Sequence, residues 1–465
     1  MPSHAVFPCP RSSCAFRRTC HATRALLVLA IVLSILAPAG RARAADEPAP
    51  PRGTLTLSQA EENALRHQPS LSQAHAQTDA AEGRVEQARA GYLPQVTATG
   101  TYQRITGNFA VRPGAVPGTT TNTGSWSNTT YNYFNFGLNA SQLIYDFGQT
   151  DGRWRAAGAA RDSFQAGELT AEEQALLGVR RAYFVARADE DLIAVAQENL
   201  TNQEKHLAQI QAFVEAGIRP DIDLAAARTA VANARLQQVS ATNNYAVARA
   251  QLNQAMGVFD RAGDALGDSA LPLVAGEDGA LVTLVDSALA VRPELAALQR
   301  QQRAQELTVA ALRGGYGPAL GAAAGATAAG VEIDHLVPNW FVGLTVNWPL
   351  LQGGLTRGQI HEARGNLAAL AAQEETLRLQ VRVDVEQGQL GVRAAKASIG
   401  AAHEALVNAR DQLRLAEARY AQGLGSVIEL GDAQVALSTA AAQDVQARFN
   451  LSAARAQLMA ALGVR

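Results

Sequence analysis

The chain repeats itself once, and that repeat limits what it can fold into. Ala64-Leu65 and Pro69 recur as Ala288-Leu289 and Pro293, 224 residues on. Gly91-Tyr92 and Pro94 recur as Gly315-Tyr316 and Pro318 at the same offset. Farther along, Gly137-Leu138 matches Gly343-Leu344, Gly148 matches Gly354, Gly217 matches Gly423, and Leu252 and Gly257 match Leu458 and Gly463, all at an offset of 206. Chance glycine matches would not hold one offset over such a distance. The offset changes once, between Pro94 and Gly137, where Arg112–Thr130 is rich in Gly, Pro, Thr and Asn. Length varies most freely at an exposed loop tip. One supersecondary unit is therefore used twice, over residues 55–260 and 278–465, with a linker over 261–277.

The first 44 residues stand apart. Arg11, Arg17, Arg18 and Arg24 precede an apolar run from Ala25 to Ala37, and Ala42-Arg43-Ala44 follows. A charged start, an apolar run too short to span as a helix and an A-x-A site predict a cleaved signal peptide over 1–44. An N-terminal anchor helix is the alternative. Residues 45–54 read as a disordered lead-in. All three cysteines, Cys9, Cys14 and Cys20, precede the apolar run, so the mature chain is expected to use no disulfide. Six of the 40 basic side chains are arginines of this segment, which leaves 34 against 42 acids. A mildly acidic exported chain is a poor nucleic-acid binder. No later stretch reaches about 18 consecutive apolar residues, which argues against a transmembrane helix but says nothing against a β-barrel.

Each unit opens with a helical pattern of about 30 residues, near 58–90 and 280–313, and continues into strand-like segments. In the second unit Trp340, Val342, Leu344, Val346, Trp348 and Leu350 alternate with Phe341, Gly343, Thr345, Asn347 and Pro349. In the first, Phe134, Phe136, Leu138, Ala140 and Ile144 share one face. A sandwich strand would bury such a face in protein, and an outer-membrane strand would turn it to lipid; alternation alone leaves both open. Trp340 and Trp348 are spaced by about 26 Å along a strand, roughly one apolar band between aromatic girdles. Helical patterns then run from about 148 to 216 and from 354 to 422, each ~100 Å long at 1.5 Å per residue. Ile193, Leu200, Leu207 and Val214, and again Ile399, Leu406, Leu413 and Tyr420, recur every seven residues as a coiled-coil seam. Gly217 and Gly423 end these runs, and return helices follow over about 221–257 and 427–462. Four strands cannot close a membrane barrel, and an unclosed sheet leaves backbone groups unpaired in lipid, so the chain must assemble with copies of itself.

The ordered set of helix, Gly-Tyr-x-Pro, strand pair, long helix and return helix resembles the TolC-like outer-membrane efflux proteins. So do Gln142-Leu-Ile-Tyr-Asp-Phe-Gly148 with Trp348-Pro-Leu-Leu-Gln-Gly-Gly354, and the tips Phe213–Asp223 and Tyr420–Glu429. The resemblance covers essentially the whole mature chain. It implies a mainly α fold with a membrane β-barrel: a homotrimer, four strands per protomer, a 12-stranded barrel in outer-membrane lipid and a long periplasmic tunnel of helices. It further implies a passive duct for efflux or type I secretion, docked through a periplasmic adaptor to an inner-membrane RND or ABC transporter.

Site residues follow residue by residue. Gly91 and Pro94, with Gly315 and Pro318, mark the helix-to-strand turns, and Gly148 and Gly354 the returns. On the resemblance, Asp223, Tyr420, Glu429 and Asp432 belong to the periplasmic aperture and its lock, though Ser426-Val-Ile-Glu429 is equally a capping box. A basic partner expected in the lock falls on Gly425, and Arg219 in the opposite tip is a candidate substitute. Gly217-Ile218 and Gly423-Leu424 match adaptor-docking tips. Trp126, Tyr131, Tyr133, Phe134, Trp340 and Trp348 are girdle candidates, with ordinary strand packing as the alternative. His67, His75, His206, His335, His361 and His403 show no metal spacing, and no cofactor loop or nucleophile motif occurs, so neither a cofactor nor an enzyme is expected. The rival from another class is a soluble periplasmic coiled-coil scaffold.

Overall fold

In a computed structural model, which describes residues 53–106, 130–259, 265–267 and 271–464, each unit contains the same elements in the same order. The first holds α1 (Leu57–His67), α2 (Pro69–Ala90), β1 (Gln95–Thr106), β2 (Thr130–Tyr145), α3 (Gln149–Glu215) and α4 (Asp221–Met256). The second holds α5 (Leu281–Val291), α6 (Pro293–Gly314), β3 (Ala319–Gly330), β4 (Val337–Asn347), α7 (Leu355–Ala421) and α8 (Val427–Leu462). Helix lengths pair off as 11, 22, 67 and 36 residues in both units. The leader 1–44, Trp126 and the loop between β1 and β2 lie outside the described residues.

The opening helices differ from the sequence expectation of one continuous run. Each breaks before proline: Gln68 (φ −67°, ψ 118°) and Arg292 (φ −58°, ψ 124°) are extended, and Pro69 and Pro293 start the next helix. Proline's ring disfavours helical geometry in the residue before it but suits the first helical position. Proline-free α3 and α7 run unbroken for 67 residues, ~100 Å.

The four strands form one antiparallel sheet in the order β1-β2-β3-β4. The helices beneath repeat that order, with α2 against α3, α3 against α6 and α6 against α7. Toward the other end α4 lies on α3, α3 on α8, and α8 on α7. The chain is thus a single-layer wall whose outer edges are β1 with α2 and α4 on one side, and β4 with α7 on the other.

Two related cores hold the wall at mid-height. Ala60, Ala64, Val179, Ala186, Leu252 and Met256 pack together in the first. Their equivalents Leu284, Ala288, Val385, Val392, Leu458 and Leu462 pack in the second. Leu55 joins Leu266 in a parallel bridge, and the Tyr183 hydroxyl donates to the Leu55 and Gly267 carbonyls at 3.1 and 2.7 Å. The second core carries a buried charge cluster. Glu277 takes both ends of the Arg455 guanidinium at 3.0 and 3.1 Å and Lys396 Nζ at 2.7 Å, and it accepts the Val274 N–H at 3.1 Å. Burial would raise its pKa, but those donors outweigh burial and hold it at about 2. The ionised form is therefore favoured in the fold, and its contribution is complete above the unfolded value of about 4.3 and fades as pH falls toward 2. Lys396 is 31% and Asp278 70% exposed, so solvent screening trims the effect to about 1–2 kcal/mol. Glu277→Gln is expected to lower thermal stability at pH 7 and to lose the drop between pH 4.5 and 2; an equal loss at pH 7 and pH 2.5 in denaturation curves would remove the charge argument.

Candidate functional site at the sheet faces, crossings and helix tips

The strand register sorts the sheet into two unlike faces. Trp340 stands beside Ala326, Leu138 and Ala98, and Val342 beside Ala324, Ala140 and Val96. Phe136, Phe134 and Tyr102 continue this face, and the last two rings stack at 5.0 Å. The opposite face presents Thr97, Thr99, Thr101, Asn135, Asn139, Ser141, Thr327, Asn339 and Thr345, with glycines and alanines between them. A period of two produces this segregation, with Phe341 and Ile105 as exceptions on the polar face and Arg104 and Asn132 as exceptions on the apolar one. Two expectations change here. Tyr131 pairs with Ile105, and Tyr133 with Gln103, on the polar face, so both leave the girdle set. Ile144 is the extra residue of a bulge, and Tyr145 takes its place opposite Leu320 on the apolar face.

Phe134, Trp340 and Trp348 remain on or in line with the apolar face. Trp348 lies just beyond β4, where its indole N–H donates to the Tyr316 carbonyl at 3.1 Å. Tyr92 against Trp154 and Tyr145 against Phe147, at 6.2 and 4.9 Å, form a second aromatic group at the crossings. Only the tertiary approach of α3 to the Gly91 turn reveals that group.

At the outgoing crossings Gly91 (φ −61°) and Gly315 (φ −64°) are right-handed, so glycine is not there for a special dihedral. Glycine serves close approach instead: a Cβ on Gly91 would lie 3.1 Å from Thr150 Cγ2, and one on Gly315 3.1 Å from the Leu312 carbonyl. Pro94 and Pro318 directly precede β1 and β3. The left-handed residues are at the returns, Gly148 (φ 83°) and Gly354 (φ 86°). Asp146 caps α3 there, accepting the Thr150 N–H at 2.7 Å and its hydroxyl at 2.6 Å. In the second unit Gln352 bonds the Thr356 hydroxyl in its place.

At the far end the tips α3–α4 and α7–α8 close with the same bonds. Gly217 N–H donates to the Val214 carbonyl and Ile218 N–H to Phe213, both at 2.9 Å. Gly423 to Tyr420 and Leu424 to Arg419 repeat the pattern at 3.1 and 2.9 Å. This is the Schellman arrangement, and it needs the left-handed glycine. Ile218 and Ile222 on one tip, and Leu424 and Ile428 on the other, stand exposed at matching positions.

Between the tips the structure brings Asp223, Arg219 and Tyr420 together. Asp223 is 7% and Tyr420 2% exposed. Burial first, then the Asp223 carboxylate, raises the Tyr420 pKa, against the pull of Arg219, so the phenol stays neutral. Its hydroxyl closes no full hydrogen bond. Arg219 lies 4.4 Å over the Tyr420 ring and donates to the Tyr420 and Gly425 carbonyls at 3.2 and 3.4 Å. Gly425 is the repeat equivalent of Arg219, so the charge absent from one tip is supplied across the interface by the other. Phe213, Leu224, Leu413 and Leu430 surround this contact. Glu429 and Asp432 are exposed and outside it. The Ser426 hydroxyl accepts the Glu429 N–H at 3.1 Å, yet the Glu429 carboxylate pairs with Arg419 at 3.0 Å instead of returning to the cap. Among the described residues one carboxylate–histidine group occurs: Glu332, Asp334 and His335, with ligand atoms within 4.8 Å in the β3–β4 turn, all exposed. No spacing signal in the chain marks it, and three open surface groups do not make a metal site.

The model of the outer membrane efflux protein family matches residues 61–258 and 284–464, one match per repeat. The chain is similar to outer membrane protein TolC of Escherichia coli (strain K12), 26% identical over 88% of this chain and 84% of that one. It is similar also to the solvent efflux pump outer membrane protein SrpC of Pseudomonas putida, 25% identical over 62% of each chain. In fold it resembles the crystal structure of the Campylobacter jejuni CmeC outer membrane channel, with a TM-score of 0.77, 16% identity, and 88% of this chain and 85% of that one covered. A four-stranded antiparallel sheet on a wall of long helices, built from two copies of one unit, agrees with all three, and the chain belongs to the outer membrane efflux protein family, whose members are channels and not enzymes.

Proposed function

We propose that three copies of this chain form an outer-membrane exit duct for substrates delivered by an inner-membrane pump. The observation that carries the reading is the unfinished sheet. It has one apolar face, one neutral polar face and two unpaired edges. β1 runs away from the helices and β4 runs back toward them, so β4 of one copy beside β1 of the next continues the antiparallel order. Two copies would give eight strands, whose interior is filled by side chains; twelve strands leave a water path. The apolar face then meets lipid, and the Thr/Asn/Ser face lines the lumen. A soluble scaffold would leave Trp340, Val342, Leu344 and Val346 in water, all heavily exposed in the single chain.

Residues 1–44 act in this reading as the export signal, and the helical wall extends into the periplasm. Gly217-Ile218 and Gly423-Leu424, with Ile222 and Ile428 beside them, offer apolar tips to a periplasmic adaptor. The inner-membrane partner is an RND or ABC transporter, and a neighbouring gene for either would separate drug efflux from type I secretion. Asp223, Tyr420 and Arg219 hold the two tips together and keep the aperture closed. Glu429 and Asp432 each become a ring of three carboxylates that favours cations.

Purified protein is expected in the outer-membrane fraction as a heat-modifiable trimer; a monodisperse soluble monomer without detergent would end the proposal. In planar bilayers, Asp223→Ala with Tyr420→Ala, and Arg219→Ala alone, should each raise the resting conductance. Conductance equal to the parent would deny these groups a gating role. Glu429→Gln with Asp432→Asn should bring the cation-to-anion permeability ratio toward one, read from the reversal potential in a salt gradient. An unshifted potential would leave Glu429 as a helix-start residue only.

A further inference from the structure

The second crossing holds a basic cavity. Arg313 at the end of α6, and Arg357, His361 and Arg364 along one face of α7, line a space of about 890 Å³ together with Tyr316 and Gly354. No carboxylate is among its lining residues. Other arginines of the same helices are neutralised: Arg303 pairs with Glu306 at 2.8 Å, and Arg378 with Glu374 at 2.7 Å. Arg313, Arg357 and Arg364 have no such partner among the described residues. In the first unit the position of Arg357 is taken by Asp151, which pairs with Arg155 at 2.9 Å, and that of Arg364 by Gly158. Arg313 keeps an arginine, Arg89, as its equivalent, so the repeat departs from itself at the two α7 positions, and the departure adds two arginines beside Arg313.

The surroundings say what would compensate them. Trp348 bonds the Tyr316 carbonyl at the rim, and the segment leading from it to Gly354 carries Leu350 and Leu351, the latter 93% exposed. Arginines below and apolar side chains above, meeting at an aromatic rim, match a molecule with a phosphate joined to acyl chains. Guanidinium forks bind phosphate oxygens in pairs. A free phosphate would use the arginines and leave the leucines in water.

We propose that this cavity binds the phosphate of an anionic glycerophospholipid in the membrane leaflet nearest the helices, and so anchors one side of each protomer. The proposal rests on the duct reading, which puts the crossings at the membrane boundary. The test uses full-length protein in which Trp348 is the sole tryptophan (W126F/W154F/W340F), reconstituted into phosphatidylethanolamine vesicles. Brominated phosphatidylglycerol is compared with brominated phosphatidylethanolamine as quencher of Trp348. Phosphatidylglycerol is expected to be preferred roughly tenfold, as three arginines near a surface allow. R313Q/R357Q/R364Q should abolish the preference while the trimer persists. Equal quenching by the two lipids, or a preference untouched by the triple substitution, overturns the site. Loss of the preference on adding millimolar inorganic phosphate assigns the cavity to a free anion and overturns the lipid assignment. Trp348 unquenched by either lipid would reject the membrane reading itself, a result distinct from the others.

Discussion

Backbone amides and carbonyls at the edges of a sheet have to be paired once water is removed, and hydrocarbon supplies no partner. The rest of the molecule answers to that constraint. β1 and β4 each have one neighbour, and the chain has no further strand to offer among its described residues. The helices beneath keep the same lateral order as the strands, so whatever closes the sheet also closes the helical wall. In the duct reading, association of copies is then a condition of the fold in lipid. Edge helices α4 and α7 are consistent with it, since Leu236, Val239, Leu379 and Leu390 lie exposed along them in the single chain.

Length without thickness creates a second demand. A helix of 67 residues in a single layer touches few neighbours at any height, so stability has to be concentrated somewhere. The chain does this at mid-height, where the short helices α1 and α5 pack across the long ones and equivalent residues of both repeats fill matching cores. The Glu277–Arg455–Lys396 cluster lies in the second core. Burying a carboxylate there is tolerable only because every approach to it is a donor.

Duplication gives the frame, and the two units depart from it at the tips and at the crossings. At the tips Arg219 has Gly425 as its repeat equivalent, and its guanidinium crosses to the Gly425 carbonyl and covers Tyr420. At the crossings Asp146 and Asp151 add two carboxylates to the first unit, whereas Gln352 and Arg357 stand at the equivalent positions of the second. A perfectly symmetric repeat would show neither.

Much of this was legible in the chain alone. Offsets of 224 and 206 were enough to pair every element, because covalent spacing is carried unchanged into structure. Glycines 217 and 423 announced helix ends because few other residues adopt a left-handed dihedral cheaply. Alternation of apolar residues in β4 announced a two-faced strand, since successive side chains point to opposite faces. Register was not legible. Tyr131 and Phe134 differ in parity, yet only pairing through β3 fixed which one joins Trp340, and the bulge at Ile144 exchanged that residue for Tyr145. The breaks before Pro69 and Pro293 were written in the sequence and needed only the proline rule. The reach of Arg219 to Gly425, and the gathering of Arg313, Arg357 and Arg364, depended on how α3, α6, α7 and α8 lie side by side. Sequence determined the units, their lengths and their ends, which are local properties of the backbone. Tertiary structure alone decided which charges meet, because contacts between residues distant in the chain are set by packing and leave no periodic trace.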